Sequence, residues 1–193
     1  YFGHIELARP VFYIQFLNTI QKILRCVCIK CSKLLINKDK HKKYIDTLKY
    51  KERWDKVFSL ANKIDRCGCE TVDGCGCKQP RKIYKDGLAT ILAEWENTDK
   101  ITDENGEVKD KITMKLTPEI VLKIFRRISD EDITFMGFSP VWSRPDWFIC
   151  EVLAVPPPAV RPSVKHDAQQ RSEDDISHII VNIIKFNKIL QEK

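Results

Sequence analysis

Nowhere in the 193 residues does an apolar run approach the ~20 residues a helix needs to cross a bilayer, because charge or proline interrupts each candidate first. No membrane span and no membrane partner are expected. A charged leader with an apolar centre and a small-residue cleavage site is also missing, which argues against secretion and a disulfide framework. There is no internal repeat, so a repeat architecture is excluded. No serine or cysteine stands with a positioned base, and Cys150, inside the apolar run Trp147-Phe148-Ile149, reads as a buried small side chain rather than a nucleophile. No base-reading motif is visible. His41, His166 and His178 have no ligand spacing and read as surface or packing residues.

What is present points to a metal. All eight cysteines except Cys150 fall in two clusters. Cys28-Ile29-Lys30-Cys31 places two thiols two residues apart, beside Cys26, and a second cluster holds Cys67, Cys69, Cys75 and Cys77. Tetrahedral zinc accepts four such ligands, with a short C-x₂-C turn supplying two and a remote segment the others. Gly68, Gly74 and Gly76 between the later cysteines suit the tight turns that wrap a metal. Four thiolates leave no open coordination position, so the site is expected to be structural and its thiols reduced. The competing reading is eight ordinary reduced cysteines with no metal.

A hydrophobic share of 43% allows one sizeable core or two modest ones. The formal charge of +6 is uneven, with Lys38, Lys40, Lys42, Lys43, Lys49, Lys51, Arg53 and Lys56 crowded together. Asp39, Asp46, Glu52 and Asp55 interleave with them, so a solvated helix face competes with a phosphate-facing surface.

Periodicity predicts a strand over Ile5 to Val11, then a helix through Phe12, Phe16, Ile20, Ile23 and Leu24 that delivers the first cysteines. A helical region without internal glycine or proline spans Lys40 to Asp65. Strands are expected over Lys82 to Lys85, Leu88 to Trp95 and Lys111 to Leu116, with a turn at Asp103-Glu104-Asn105-Gly106. Thr117-Pro118 starts a helix with apolar Ile120, Val121, Ile124, Phe125 and Ile128, and Ser129 starts another that closes near Gly137. Five prolines between Ser143 and Ser163, three consecutive, predict an extended strap of polyproline type. A last helix over Asp174 to Leu190 carries a broad apolar face of Ile176, Ile179, Ile180, Ile183, Ile184 and Phe186.

Several of these stretches together resemble the largest subunit of multisubunit DNA-directed RNA polymerases, most like the eukaryotic polymerase II type. Phe2-Gly3-His4-Ile5-Glu6-Leu7-Ala8-Arg9-Pro10-Val11-Phe12 is similar to the segment after that subunit's first zinc motif, and Cys26-Val27-Cys28-Ile29-Lys30-Cys31 to its next zinc knuckle. Gly74-Cys75-Gly76-Cys77-Lys78-Gln79-Pro80 resembles the closing half of that knuckle, and Lys85-Asp86-Gly87-Leu88 is a further match. Most specific are Gly137-Phe138, Ser143-Arg144-Pro145-Asp146-Trp147, Val155-Pro156-Pro157-Pro158-Ala159-Val160-Arg161-Pro162-Ser163 and Gln170-Arg171-Ser172-Glu173-Asp174-Asp175, in that order.

The resemblance implies an α+β fold: a zinc-stapled helical clamp head with a small antiparallel sheet, packed on part of the clamp core. Residues 1–25 and 143–193 would belong to the core, the latter as proline-rich strap and returning helix, and 26–142 to the head. It implies zinc ligands Cys28, Cys31, Cys75 and a third, which falls on Cys67 without gaps from Glu52-Arg53-Trp54, with Cys69 as the alternative. Cys26, Cys69 and Cys77 would then be spare thiols. It further implies a clamp enclosing template, downstream duplex and DNA–RNA hybrid, partnered by the second-largest subunit, other subunits and clamp-docking transcription factors. Lys40, Lys42, Lys43 and Arg161 are the candidate nucleic-acid contacts, while Arg144 with Asp146 is expected to brace the strap. The family's catalytic Mg²⁺ is held by an Asn-Ala-Asp-Phe-Asp-Gly-Asp motif that these residues do not contain, so structural Zn²⁺ is the cofactor expected here. The chain departs from the pattern at Tyr1, where the family has a histidine ligand of the preceding zinc motif, and His4 is a poor replacement. The expected location is the nucleus for a cellular protein, and the viral factory or virion for a viral one.

Overall fold

The computed structural model describes residues 1–167 and 170–193, of which 165–167, 170 and 171 are described by backbone alone. His166 therefore has its side chain outside the described residues. Two compact units result, one formed by Tyr1–Val11 with Cys150–Lys193 and the other by Phe12–Ile149.

In the larger unit, α1 (Leu17–Leu24) buries Leu17, Ile20, Ile23 and Leu24 on one side, as their spacing requires. The predicted helix is shorter than its periodicity suggested, because Ile14–Phe16 forms a 3-10 turn. The helical stretch that follows the first cysteines is two helices rather than one, α2 (Lys38–Ile45) and α3 (Tyr50–Ala61). No glycine or proline marks the break. Instead Asp46 caps α2, Thr47 donates its hydroxyl to the Tyr44 carbonyl at 2.6 Å, and Tyr50 adopts a left-handed φ of 47°. Packing holds that turn. Arg53 on α3 donates Nε to the Phe135 carbonyl at 2.8 Å and pairs with Asp46 at 3.3 Å, pulling both sides of the corner onto a neighbouring helix.

The sheet is an antiparallel meander of β2 (Lys82–Asp86), β3 (Thr90–Glu96) and β4 (Lys111–Leu116). Its register sets Ile83 opposite Ala93 and Ile91 opposite Leu116, and all four are buried. That alternation is the period-2 pattern of a sheet with one face on a core. The Asp103 to Gly106 turn is present, closed by Asp103 accepting from the Asn105 and Glu107 amides. Two short helices follow the sheet: α4 (Pro118–Arg126), capped by the Thr117 hydroxyl and packed on the segment Pro145–Phe148, and α5 (Asp130–Met136), packed on α3, capped by Ser129 and stopped at Gly137 with φ 98°. Trp54, Phe138, Phe148 and Phe16 form an aromatic ladder with centroid separations of 5.0, 6.1 and 4.7 Å.

The strap is less extended than its prolines suggest. Pro145–Phe148 is a 3-10 turn, Ile149–Val155 is a strand (β5), and Pro158–Val160 is a second 3-10 turn, leaving Pro156 and Pro157 as the extended link. A proline fixes φ near −65°, which a 3-10 turn accepts as readily as polyproline II, and Ile149, Val152 and Val155 between the prolines are β-branched. Arg144 does brace it, donating Nε to Asp146 at 2.9 Å and also reaching Asp130 and the Ile128 carbonyl.

In the smaller unit β5 pairs with β1 (Gly3–Phe12), and β6 (Val164–Asp167) pairs antiparallel with β7 (Gln170–Ser172), a hairpin that alternation did not reveal. The last helix, α6 (Asp175–Gln191), is tied to β1 by Asn187, which accepts from the Ala8 amide at 2.6 Å and donates to the Glu6 carbonyl at 2.8 Å. Its predicted apolar face forms, but Ile176, Ile179, Ile184 and Phe186 lie exposed. No described helix is long and apolar enough to cross a membrane.

Candidate metal centre

Two loops of the larger unit build the site. The first leaves α1 and folds back on itself: Val27 bridges Leu34 in antiparallel fashion, the Cys28 amide donates to the Lys33 carbonyl at 2.8 Å, and the Ser32 amide to the Cys28 carbonyl at 2.9 Å. Ser32 takes a left-handed φ of 63° to complete the turn, which sends both Cys28 and Cys31 side chains to one side. The second loop leaves α3 and closes in the same way, with Arg66 bridging Lys78, the Cys67 amide donating to the Cys77 carbonyl at 2.9 Å, and the Gly76 amide to the Cys67 carbonyl at 3.1 Å. Each loop is a short hairpin that offers two sulfurs.

The hairpins meet sulfur to sulfur. Cys28 Sγ lies 3.5 Å from Cys75 Sγ, Cys31 Sγ lies 3.7 Å from Cys67 Sγ, and all four sulfurs fall within 4.8 Å of one another. A tetrahedral ion with metal–sulfur bonds near 2.3 Å separates its sulfurs by about 3.8 Å, so the donor set fits a closed S₄ site. Cys28 and Cys67 are buried, Cys31 is half-buried and Cys75 faces solvent. The three other thiols of the two clusters lie outside the quartet. Cys26 is wholly buried in the main core, Cys69 is exposed with Sγ 3.8 Å from the Asp65 carboxylate, and Cys77 is half-buried with Sγ 3.6 Å from the Lys78 carbonyl. Cys150 is buried, as its apolar run predicts.

The electrostatics of the quartet favour a cation. Burial pushes the Cys28 thiol up, but N–H donors from the Cys31 and Lys30 backbone and the neighbouring thiols outweigh it and bring the group down to about 7. Burial is the largest cause raising Cys31, Cys67 and, outside the quartet, Cys77, and the contact of each with Cys28 works against its ionisation as well. One thiolate forms readily and the next are resisted, the balance a divalent ion reverses.

Over residues 1–193, the whole chain, the sequence matches the profile of the family described as RNA polymerase Rpb1, domain 1. The chain belongs to this family. It is also 42% identical over 201 aligned positions to DNA-directed RNA polymerase II subunit RPB1 of Euplotoides octocarinatus, an alignment covering 100% of this chain and 40% of that protein. The chain thus spans well under half the length of this Rpb1 relative.

Within this Rpb1 domain, several residues that organise the centre were not singled out from the sequence. Asp132, 6% exposed, accepts the Leu34 amide at 3.3 Å and the Lys38 ammonium at 2.8 Å, locking the first hairpin and the start of α2 to α5. Asn37 caps α2 and donates Nδ2 to the Glu70 carbonyl at 3.1 Å, and the Glu70 carboxylate accepts the Asn37 amide at 3.3 Å. Gln79, 4% exposed, touches both hairpins. Only a capping asparagine has a local sequence signal; the buried carboxylate and carboxamide are recognisable only once their partners are assembled. Asp132→Ala leaves the buried Leu34 amide without its acceptor and the partly exposed Lys38 cation with Glu131 alone, and is expected to cost about 2 kcal/mol, read as a lowered urea midpoint at constant m-value.

Of the candidate nucleic-acid contacts, Lys42 and Lys43 lie exposed on α2, and Lys40 is exposed with Nζ 3.6 Å from Glu70. Arg161 turns inward, donating Nε to the Pro156 carbonyl at 3.1 Å and Nη1 to the Ser177 hydroxyl at 3.2 Å.

Proposed function

We propose that this chain is the clamp region of the largest subunit of a DNA-directed RNA polymerase, with the four-cysteine centre holding a structural zinc ion. The match of one family to every residue from 1 to 193 carries this reading. The S₄ donor set supports the choice of zinc, because a closed thiolate shell suits a structural ion and leaves no position for water or substrate. In this reading residues 26–142 act as clamp head, with 1–25 and 143–193 as clamp core. Cys28, Cys31, Cys67 and Cys75 staple two hairpins, and through them α1, α2 and α3, into one body that can swing without deforming. Polymerase activity, a nucleotidyl transfer on catalytic Mg²⁺, belongs to the assembled enzyme with the second-largest and other subunits, in the nucleus or a viral transcription compartment.

The clamp reading assigns Lys40, Lys42 and Lys43 to phosphates of template, downstream duplex or hybrid, in contacts that ignore sequence as a sliding enzyme requires. Arg161, tied to Pro156 and Ser177, supports the strap more directly than it supports nucleic acid. Co-expression with a matching second-largest subunit tests the assembly: recovery of a stable complex supports it, and a chain that remains alone favours a free-standing zinc module binding nucleic acid or a transcription factor. Replacing Lys40, Lys42 and Lys43 together by alanine is expected to weaken DNA binding equally on unrelated sequences. The slope of log affinity against log salt should shrink by about 0.9 for each phosphate that is no longer neutralised.

A further inference from the structure

We infer that Gln79 is the positioning residue of the metal centre: its carboxamide holds Cys28 Sγ by an N–H···S bond and sets how tightly the site grips its ion. This rests on the reading of the cysteine quartet as a metal centre. Every polar atom of the carboxamide is used. Nε2 donates to Cys28 Sγ at 3.2 Å and to the Cys77 carbonyl at 3.0 Å, while Oε1 accepts the Ile29 amide at 3.1 Å. The partners fix its orientation, since a flipped amide would set N–H against the Ile29 N–H and oxygen against the Cys77 carbonyl.

The backbone around it is equally constrained. The Gln79 amide donates to the Asp65 carbonyl at 2.6 Å, the Lys78 carbonyl accepts the Trp95 indole N–H at 3.2 Å, and the Pro80 carbonyl accepts the Arg25 guanidinium. Arg25 is itself held by Asn62 through Oδ1 at 2.7 Å and the backbone carbonyl at 2.8 Å. A side chain anchored to α1, the end of α3 and β3 therefore spans both hairpins and ends on a sulfur.

That bond to sulfur has a chemical consequence beyond cohesion. Four thiolates around a divalent ion leave a net charge of about −2 in a partly buried place, and each N–H aimed at sulfur disperses some of it. Cys28 receives such donors from its own turn, the Cys31 amide and the Lys30 amide at 3.4 Å, and from Gln79. Of these, Gln79 alone comes from the side of the opposite hairpin, so it couples the charge on the first pair of ligands to closure of the second.

Two variants of the chain separate this role from plain packing. Gln79→Glu keeps an acceptor for the Ile29 amide but turns a second acceptor toward Cys28 and Cys77, and Gln79→Met fills similar volume without polar atoms. Zinc competition against a chromophoric chelator should show both binding 10–100-fold more weakly than the parent chain. In the Co²⁺-substituted proteins the thiolate-to-metal charge-transfer band should move to lower energy, because the sulfur lone pairs are deprived of an N–H donor. A purely structural residue would leave that band in place. Zinc affinity within about threefold of the parent chain, with an unmoved band, overturns the proposal. Should the variants fail to fold, the parent chain loaded with an NMR-active cadmium isotope decides: scalar coupling between the Gln79 Nε2 protons and cadmium supports the N–H···S bond, and its absence overturns it. If the parent chain itself binds neither zinc nor Co²⁺, the metal-centre reading fails along with this one.

Discussion

Cys67→Ser is expected to release the metal from the chain and to unfold both hairpins while the helical core around Phe125 and Ile20 persists. Cys67 is buried, its sulfur is 3.7 Å from Cys31, and its backbone pairs with Cys77 and Gly76, so one substitution removes a ligand at the node of the second loop. Structural zinc contributes roughly 10–16 kcal/mol of apparent binding free energy, comparable with the whole stability of a domain. Serine is a far weaker ligand than thiolate, so most of that is forfeited. Metal analysis should fall from one zinc per chain to near zero, and limited proteolysis should cut within 66–78 while α4 stays protected. Cys69→Ser, altering an exposed thiol outside the quartet, should leave metal content unchanged. Equal metal loss in both variants would sink the assignment of Cys67. Acidification acts in the same direction as ligand loss: the ligands must be deprotonated, so affinity falls as pH falls and proton uptake accompanies release.

Gly74→Ala is expected to be nearly as damaging although it touches no ligand. A Cβ at Gly74 would stand 2.2 Å from the Gly68 Cα and 2.3 Å from the Gly68 nitrogen, both backbone atoms that no rotamer change can move. The two strands of the second hairpin approach too closely there for any side chain, and relief requires parting Cys67 from Cys75. Overpacking of this kind costs about 3 kcal/mol or more, and here it also weakens the ion's grip. Gly87→Ala is the control: its φ of 68° is unfavourable for alanine, but nothing lies within 4 Å of the added atom. That change should cost about 1 kcal/mol with zinc affinity intact. Thermal unfolding with and without chelator reads both effects, and a Gly74→Ala protein as stable and as metal-tight as Gly87→Ala would refute the close-approach account.

Much of the architecture was legible locally. Thr117 before Pro118 and Ser129 before three acids are helix starts written in a few residues, and each caps its helix through its own hydroxyl. The β2–β4 meander could be read because alternation places Ile83, Ile91, Ala93 and Leu116 on one face. Where reading failed, the missing information was non-local. The corner between α2 and α3 has no breaker residue and exists because Arg53 reaches Phe135 and Asp46, eighty-two and seven positions away. The strand of the strap depends on a pairing partner, β1, that lies at the other end of the chain.

The cysteine spacing by itself determined that a metal centre was the reading to beat, because C-x₂-C turns and glycine-flanked thiols have few other uses in a reduced protein. Which four thiols meet was a matter of tertiary structure. The ungapped resemblance favours Cys67 with Cys69 as the alternative, and the two part physically only when the Cys67 amide pairs with Cys77 and turns one sulfur inward and the other toward Asp65. The same holds for Gln79 and Asp132, ordinary polar residues in the sequence. Burial against specific donors and acceptors makes them clasps, and burial is a property of the assembled chain.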